Sequence, residues 1–242
     1  MGLIGGIRER VGAVIGIGVV SLIFLCIGVA LTFFVSPQQA AEWRRVQRLP
    51  ELDAAAFGAL ASGEELVITG RLEGNTPLTE DGLVAYVRDV WEVEPPDPDQ
   101  DEDEPDGTWR REETAAPALA IAVAGGTVTT ASNSSARFEG SLPETMAEGD
   151  GNLSATYNGQ SLREGTIRTR GFHDGDLITV HGQKASTGDV IPERLFYGDR
   201  VQLVENIRSG ARAAFAIGIG MMICAPIFFV GGVAAAVFGR RR

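Results

Sequence analysis

From Val11 to Ala41 the chain carries no charged side chain, and from Ala13 to Val35 it is almost continuously apolar. A helix rises ~1.5 Å per residue, so about 20 apolar residues cross a hydrocarbon core of ~30 Å. This stretch therefore predicts a membrane span. A second uncharged run, Ala213 to Gly239, lies between Arg212 and the closing Arg240, Arg241 and Arg242. Two crossings leave residues 42–212 as a loop held at both ends against one face of a bilayer. The expected fold class is a membrane-anchored α+β chain: two transmembrane helices around a mainly β domain, a small barrel or sandwich, with an OB-like barrel among the options. In order, the segments read as a basic tail (1–10), first span (11–36), helical connector (37–62), β-rich domain (63–207), connector (208–212), second span (213–239) and basic tail (240–242).

Charge narrows the partners. Of 21 basic and 32 acidic residues, five arginines and Glu9 lie outside residues 42–212, which leaves that loop with a net charge of −15. Such a surface repels phosphate backbones, so nucleic acid is not an expected partner. The lipid bilayer is one, and an unidentified membrane or surface protein is another. Both cysteines, Cys26 and Cys224, fall inside the spans, which excludes a disulfide framework or a cysteine-based zinc site in the loop.

Small residues mark where helices can approach closely in lipid, where van der Waals contact replaces the hydrophobic drive. The candidate packing positions are Gly12 and Gly16 on the first span, and Ala214, Gly218 and Gly220 on the second. Such faces are also compatible with an oligomer. Pro226 is expected to kink the second span, since it removes a helical hydrogen bond. Trp43, Arg44 and Arg45 after the first span, and Arg240, Arg241 and Arg242 after the second, are candidate anchors at headgroup depth. Short tails weigh most in the positive-inside rule. Both termini are accordingly expected in the cytoplasm and the domain outside, with which the sequons at Asn133 and Asn152 agree.

Asp53 can cap a short helix from Ala54 to Ala61 that buries Leu52, Phe57 and Leu60. Beyond Glu65 the pattern turns to short alternating or β-branched runs broken by Gly, Asn, Asp and Pro. Strands are expected near 66–72, 83–93, 118–124, 127–131, 136–142, 165–170, 177–183 and 201–204. On the second, Leu83, Ala85, Val87, Trp91 and Val93 share a face. Residues 94–106 hold eight acids and four prolines, so this acidic loop should be a solvated, disordered protrusion. It does not fit an EF-hand: counting from Asp97, Glu102 stands where the turn glycine belongs and Thr108 where the closing glutamate belongs.

Catalytic signatures are sparse. There is no phosphate-cradling Gly loop, and Gly159-Gln160-Ser161-Leu162-Arg163 starts like a nucleophile elbow but lacks the closing glycine. His173 and His181 are the only histidines, and no further metal ligands accompany them. No catalytic, cofactor-binding or metal-binding residue is nominated, and no cofactor is expected.

The order of features resembles the GIDE, or "beside a membrane" (BAM), domain family. The resemblance rests on Val67 to Gly70, on Thr76-Pro77-Leu78-Thr79 followed by Leu83-Val84-Ala85-Tyr86-Val87-Arg88, on Asp174 to Gly182, and on Leu195-Phe196-Tyr197-Gly198. It covers roughly Leu52 to the second span; Ala124-Gly125-Gly126-Thr127 departs from it, since the family often places Asp before the turn glycine. That family includes membrane-bound RING-type E3 ubiquitin ligases, which implies either a ligase-type component with its RING absent or supplied by another chain, or a relative that has lost that role. The RING's zinc-binding set is missing from this sequence. The leading expectation is a non-enzymatic two-span protein that presents its domain for protein interaction, membrane organisation or sensing.

Overall fold

The computed structural model describes residues 3–95 and 105–238, and it divides into a helical unit (1–47 with 204–242) and a β-rich unit (48–203). In the helical unit, α1 (Leu3–Ala30) passes through one π-helical turn (Leu31–Val35) into α2 (Ser36–Arg48). The wide turn has a local cause. Pro37 has no N–H to donate back to the helix, and the Ser36 N–H bonds the Leu31 carbonyl five residues earlier. The partner is α4 (Arg200–Phe238), which runs through Pro226 as one helix. Residues 14–48 and 200–235 are long and apolar enough to cross a membrane, and only 11% of each apolar stretch is buried.

The two helices run antiparallel. Added Cβ atoms would bring Gly18 to 3.6 Å from the Phe229 ring, Gly232 against Ile17, and Gly28 to 2.8 Å from the Gly218 carbonyl, while the Ser36 hydroxyl donates to the Ala211 carbonyl. The close crossing is at Gly28 and Gly218, where a side chain on Gly218 would also strike Thr32. Of the glycines singled out in the sequence, Gly218 sits at this contact. Gly12, Gly16 and Gly220 have nothing within 4 Å of an added Cβ. Helix face explains the difference: the neighbours of Gly16, Ile17 and Gly18, are the residues that meet Gly232 and Phe229 at that level, and Gly220 lies about 200° round α4 from Gly218. Ala214 is half-buried on α4. Replacing Gly28 with leucine is therefore expected to cost about 1–3 kcal/mol by overpacking, whereas Gly16→Leu should be neutral. Unfolding of the detergent-solubilised chain with increasing dodecyl sulfate measures both.

The β-rich unit begins with α3 (Ala54–Ala59), capped as expected by Asp53, whose carboxylate accepts from the Ala56 N–H at 2.7 Å. At its other end Lys184, the one lysine of the chain, donates to the carbonyls of Phe57, Gly58 and Leu60 at 2.8–2.9 Å. Among the described residues twelve strands follow: β1 (Glu65–Leu72), β2 (Leu83–Glu94), β3 (Asp106–Ala115), β4 (Ala120–Val123), β5 (Gly126–Thr129), β6 (Arg137–Gly140), β7 (Glu144–Ala147), β8 (Ser154–Tyr157), β9 (Gln160–Arg163), β10 (Ile167–His173), β11 (Leu177–Lys184) and β12 (Val190–Tyr197).

One sheet has the order β5-β4-β1-β11-β12-β6, a second β3-β2-β10-β7, and β8-β9 is a separate hairpin. Among the strand pairs of the described residues β12–β6 is the parallel one, and single parallel bridges join Glu51 to Val67 and Thr130 to Val190. The two larger sheets share a core, as a sandwich does. Leu66, Ile68, Ile121, Ile178, Val180 and Leu195 come from the first, and Val84, Ala85 and Phe172 from the second. Burying them supplies on the order of 25 cal/mol per Å² of apolar surface. Phe172 is central, with its ring 5.3 Å from Phe138 and 6.4 Å from Tyr197.

The structure departs from the sequence reading at several places. Residues 201–204 are not a strand but the first turn of α4, because Asp199 and Gln202 form a capping box: the Gln202 N–H donates to the Asp199 carboxylate at 2.8 Å, and the Asp199 N–H to the Gln202 side chain at 3.0 Å. Residues 208–212 continue the same helix instead of forming a connector. Strands β3, β7, β8, β9 and β12 were not foreseen. Most of the acidic loop at 94–106, with its cation question, lies outside the described residues.

Candidate functional site

A buried polar cluster of the β-rich unit grows from one residue on an otherwise apolar strand face. Strand β2 turns Leu83, Ala85, Val87, Trp91 and Val93 the same way, and Asp89 falls in the same alternation. Across the ladder Asp89 is opposite Arg168 of β10 on one side and Arg111 of β3 on the other. A bulge brings Arg111 into this position, since the pairing skips Glu112 between Arg88 and Asp89. The Asp89 carboxylate, 4% exposed, accepts from Arg111 Nε at 2.5 Å, from an Arg168 terminal nitrogen at 3.1 Å and from one of Arg170 at 2.9 Å. Exposure of the three arginines rises from 10% for Arg168 through 30% for Arg170 to 48% for Arg111.

Burial by itself would raise the Asp89 pKa. The hydrogen bonds and charge of Arg111, with bonds from Arg170 and Arg168, outweigh it and hold the carboxyl below its usual value. Asp89 is thus an ionised anchor at neutral pH and a poor proton donor. Its chemistry is to hold three guanidinium groups together.

An aromatic wall stands beside this anchor. Trp91 and Trp109 face each other across β2 and β3 with ring centres 5.0 Å apart, and Tyr157 of β8 closes on both, edge-on, at 5.4 and 5.7 Å. The Arg168 guanidinium lies 4.2 Å from the Trp109 ring centre, and its other terminal nitrogen donates to the Tyr157 hydroxyl at 3.3 Å. Gly107 makes room for this, because any Cβ there would run into the Trp91 indole. Tyr157 is delivered by the β8–β9 hairpin, whose turn residues Asn158 and Gly159 have φ of 49° and 80°. Those are the left-handed angles of an Asn-Gly type I′ turn.

The opposite face of the same sheet holds ordinary surface pairs. Arg88 and the Tyr86 hydroxyl bond Glu113, and Arg110 bonds Glu92. The Tyr86 pKa is raised by burial and then by that carboxylate.

Other residues noted in the sequence take quieter places. His181 is 1% exposed and bonds Glu65 through Nε2 at 2.8 Å. His173 lies 3.2 Å from the Asp81 carbonyl. Ser161 stands exposed on β9, after a hairpin turn instead of the strand-to-helix elbow a hydrolase needs. The Asn133 side chain donates to the Pro192 carbonyl at 2.7 Å. Trp43 lies between two guanidinium groups, Arg44 at 5.4 Å and Arg208 at 5.5 Å, and Arg45 is exposed on the same helix. Arg240, Arg241 and Arg242 lie outside the described residues. Among the described residues no group of three or more His, Cys, Asp or Glu is placed to hold a metal ion.

Compared with known proteins, the chain matches no family model, no curated protein and no solved structure.

Proposed function

We propose that the chain is a non-enzymatic, two-span integral membrane protein that presents its β-rich unit at a membrane surface to recognise another protein. The observation that carries this reading is the outward apolar surface of the two long helices. Ile15, Leu22, Phe33, Phe34, Ile217, Ile227 and Val230 are each more than half exposed, a surface that water disfavours and acyl chains cover. Helix α4, at about 58 Å for its 39 residues, exceeds a hydrocarbon core, which leaves its charged start, including Glu205, Arg208 and Arg212, for the headgroups and beyond. In this topology both termini are cytoplasmic and residues 42–212 extracytoplasmic. Recognition is favoured over turnover because the buried carboxylate of the cluster, Asp89, is locked in ion pairs. A GIDE/BAM-type relationship without the RING is part of the same proposal.

Two measurements test it. The chain should stay with the membrane pellet in alkaline carbonate; release into the supernatant overturns the span reading. A photo-crosslinking residue placed at Glu144, beside Arg170, should give one adduct of fixed mass in intact cells, and one at Glu92, on the opposite face, should not. No adduct from either position overturns the recognition reading.

A further inference from the structure

The charges around Asp89 do not balance. Three guanidinium groups share one carboxylate, leaving a local excess of two positive charges on a unit whose overall balance is strongly negative. Part of their donor capacity is unused. Among the described residues the Nε–H groups of Arg168 and Arg170 are buried with no hydrogen-bond partner, and Arg111 bonds Asp89 through Nε, which leaves its two terminal nitrogens for a ligand. A buried N–H without an acceptor costs about 1–3 kcal/mol. Two further carboxylates lie along the ladder, Glu144 opposite Arg170 and Glu112 in the bulge beside Arg111; both are exposed, and among the described residues neither forms an ion pair with the three arginines. Glu113, Glu92 and Glu148 are bound to Arg88, Arg110 and Arg163 instead.

We infer that Arg111, Arg168 and Arg170, clamped on Asp89, form a binding site for a phosphate group. The charge is matched: a phosphate monoester carries about −1.5 to −2 at neutral pH, against the residual two positive charges here. The shape is matched as well. Guanidinium forks make paired hydrogen bonds to tetrahedral oxyanions, and these forks are already held in place, so little rotamer entropy remains to be lost on binding. The aromatic wall of Trp109 and Tyr157 fixes Arg168 from behind, and Arg111 and Arg170 supply the exposed side. A free phosphate ion and the phosphomonoester headgroup of an anionic lipid share this chemistry. The inference deepens the recognition reading by naming what the guanidinium face takes, and it is tested by direct binding without any protein partner, so the two fail separately.

The experiment titrates inorganic phosphate into the full chain in neutral detergent at constant ionic strength, read by calorimetry and by the fluorescence of the tryptophans, of which Trp109 lies against Arg168. A saturable one-to-one isotherm is expected. Arg111→Gln and Arg170→Gln should each weaken it by about tenfold or more, the effect of losing a charge-assisted hydrogen bond. Arg170→Lys, which keeps the charge but not the fork, should fall between. Arg110→Gln, on the opposite face, should leave affinity unchanged. Near-ultraviolet circular dichroism of each variant separates loss of the site from loss of the fold. No saturable binding by millimolar phosphate overturns the inference, as does equal affinity in the folded Arg111→Gln/Arg170→Gln double variant. Displacement of bound phosphate by an oligoglutamate that binds more tightly also overturns it, in favour of an acidic peptide. Repeating the titration in nanodiscs with and without phosphatidate identifies the source: weaker apparent affinity with phosphatidate assigns the lipid headgroup, and unchanged affinity assigns the free ion, each in support of the site.

Discussion

Asp89→Ala is expected to lower the unfolding free energy by about 3–5 kcal/mol, the cost of removing one partner from a buried ion-pair cluster. The loss is larger than that of a surface pair, typically about 0–1 kcal/mol, because Arg168 is left buried against Trp109 with no counter-charge. Chemical denaturation at neutral pH measures it. Removing both buried charges, as in Asp89→Leu with Arg168→Leu, should recover much of the loss, since Arg111 and Arg170 can turn towards water; no recovery would mean that packing, not charge, holds this region. The same carboxylate sets a pH dependence. Its folded pKa lies below its unfolded one, so its contribution is fully present above about pH 3.9 and is lost as pH falls through the lower folded value. Wild-type stability should therefore fall in strong acid, and the part of that fall due to Asp89 should be missing from the Asp89→Ala profile.

Phe172→Ala should cost a comparable ~3–5 kcal/mol, the usual penalty for emptying a buried aromatic site. Phe172 is fully buried on β10 of the four-stranded sheet, and its ring meets Phe138 and Tyr197 of the other sheet. The cavity thus opens between two sheets, neither of which can collapse alone to fill it. Met146→Ala, at an exposed edge position, should stay within about 0.5 kcal/mol of wild type. Thermal unfolding of both variants decides the comparison. Equal losses would mean that the sheets are not held by this core.

The apolar patterning explains which elements were legible in the sequence. The two uncharged runs, the Asp53 cap and the apolar or β-branched runs of β1, β2 and β11 each carry one local signal, hydrophobicity or capping, and all appear in the structure. Strand β3 carries no apolar signal from Arg110 to Glu113, all of them charged; Arg110, Arg111 and Glu113 pair with β2 residues that only the ladder brings near. The β8–β9 hairpin carried a readable signal in Tyr157-Asn158-Gly159-Gln160, the turn chemistry most specific for a two-residue hairpin. Val201 to Val204 looked like a strand because two periods fit so short a stretch, and Asp199 with Gln202 resolves the ambiguity by capping.

The Asp89 cluster was half visible. A carboxylate in the middle of the run Leu83, Ala85, Val87, Trp91, Val93 demands a cationic partner once that face is buried. Which arginines answer it depends on strand pairing over 22 and 79 residues of separation, and on the bulge at Glu112. Local pattern carries no trace of either.

At the boundary of the β-rich unit, the Arg200 guanidinium donates to the Leu49 carbonyl. The point where the chain enters this module and the point where it leaves are therefore neighbours, fastened to each other by a contact of the module's own. A body with adjoining ends can be lifted out of its host and closed with a few glycines, or grafted between other antiparallel helices, without its strands having to be rerouted. That makes residues 48–203 a transplantable cassette.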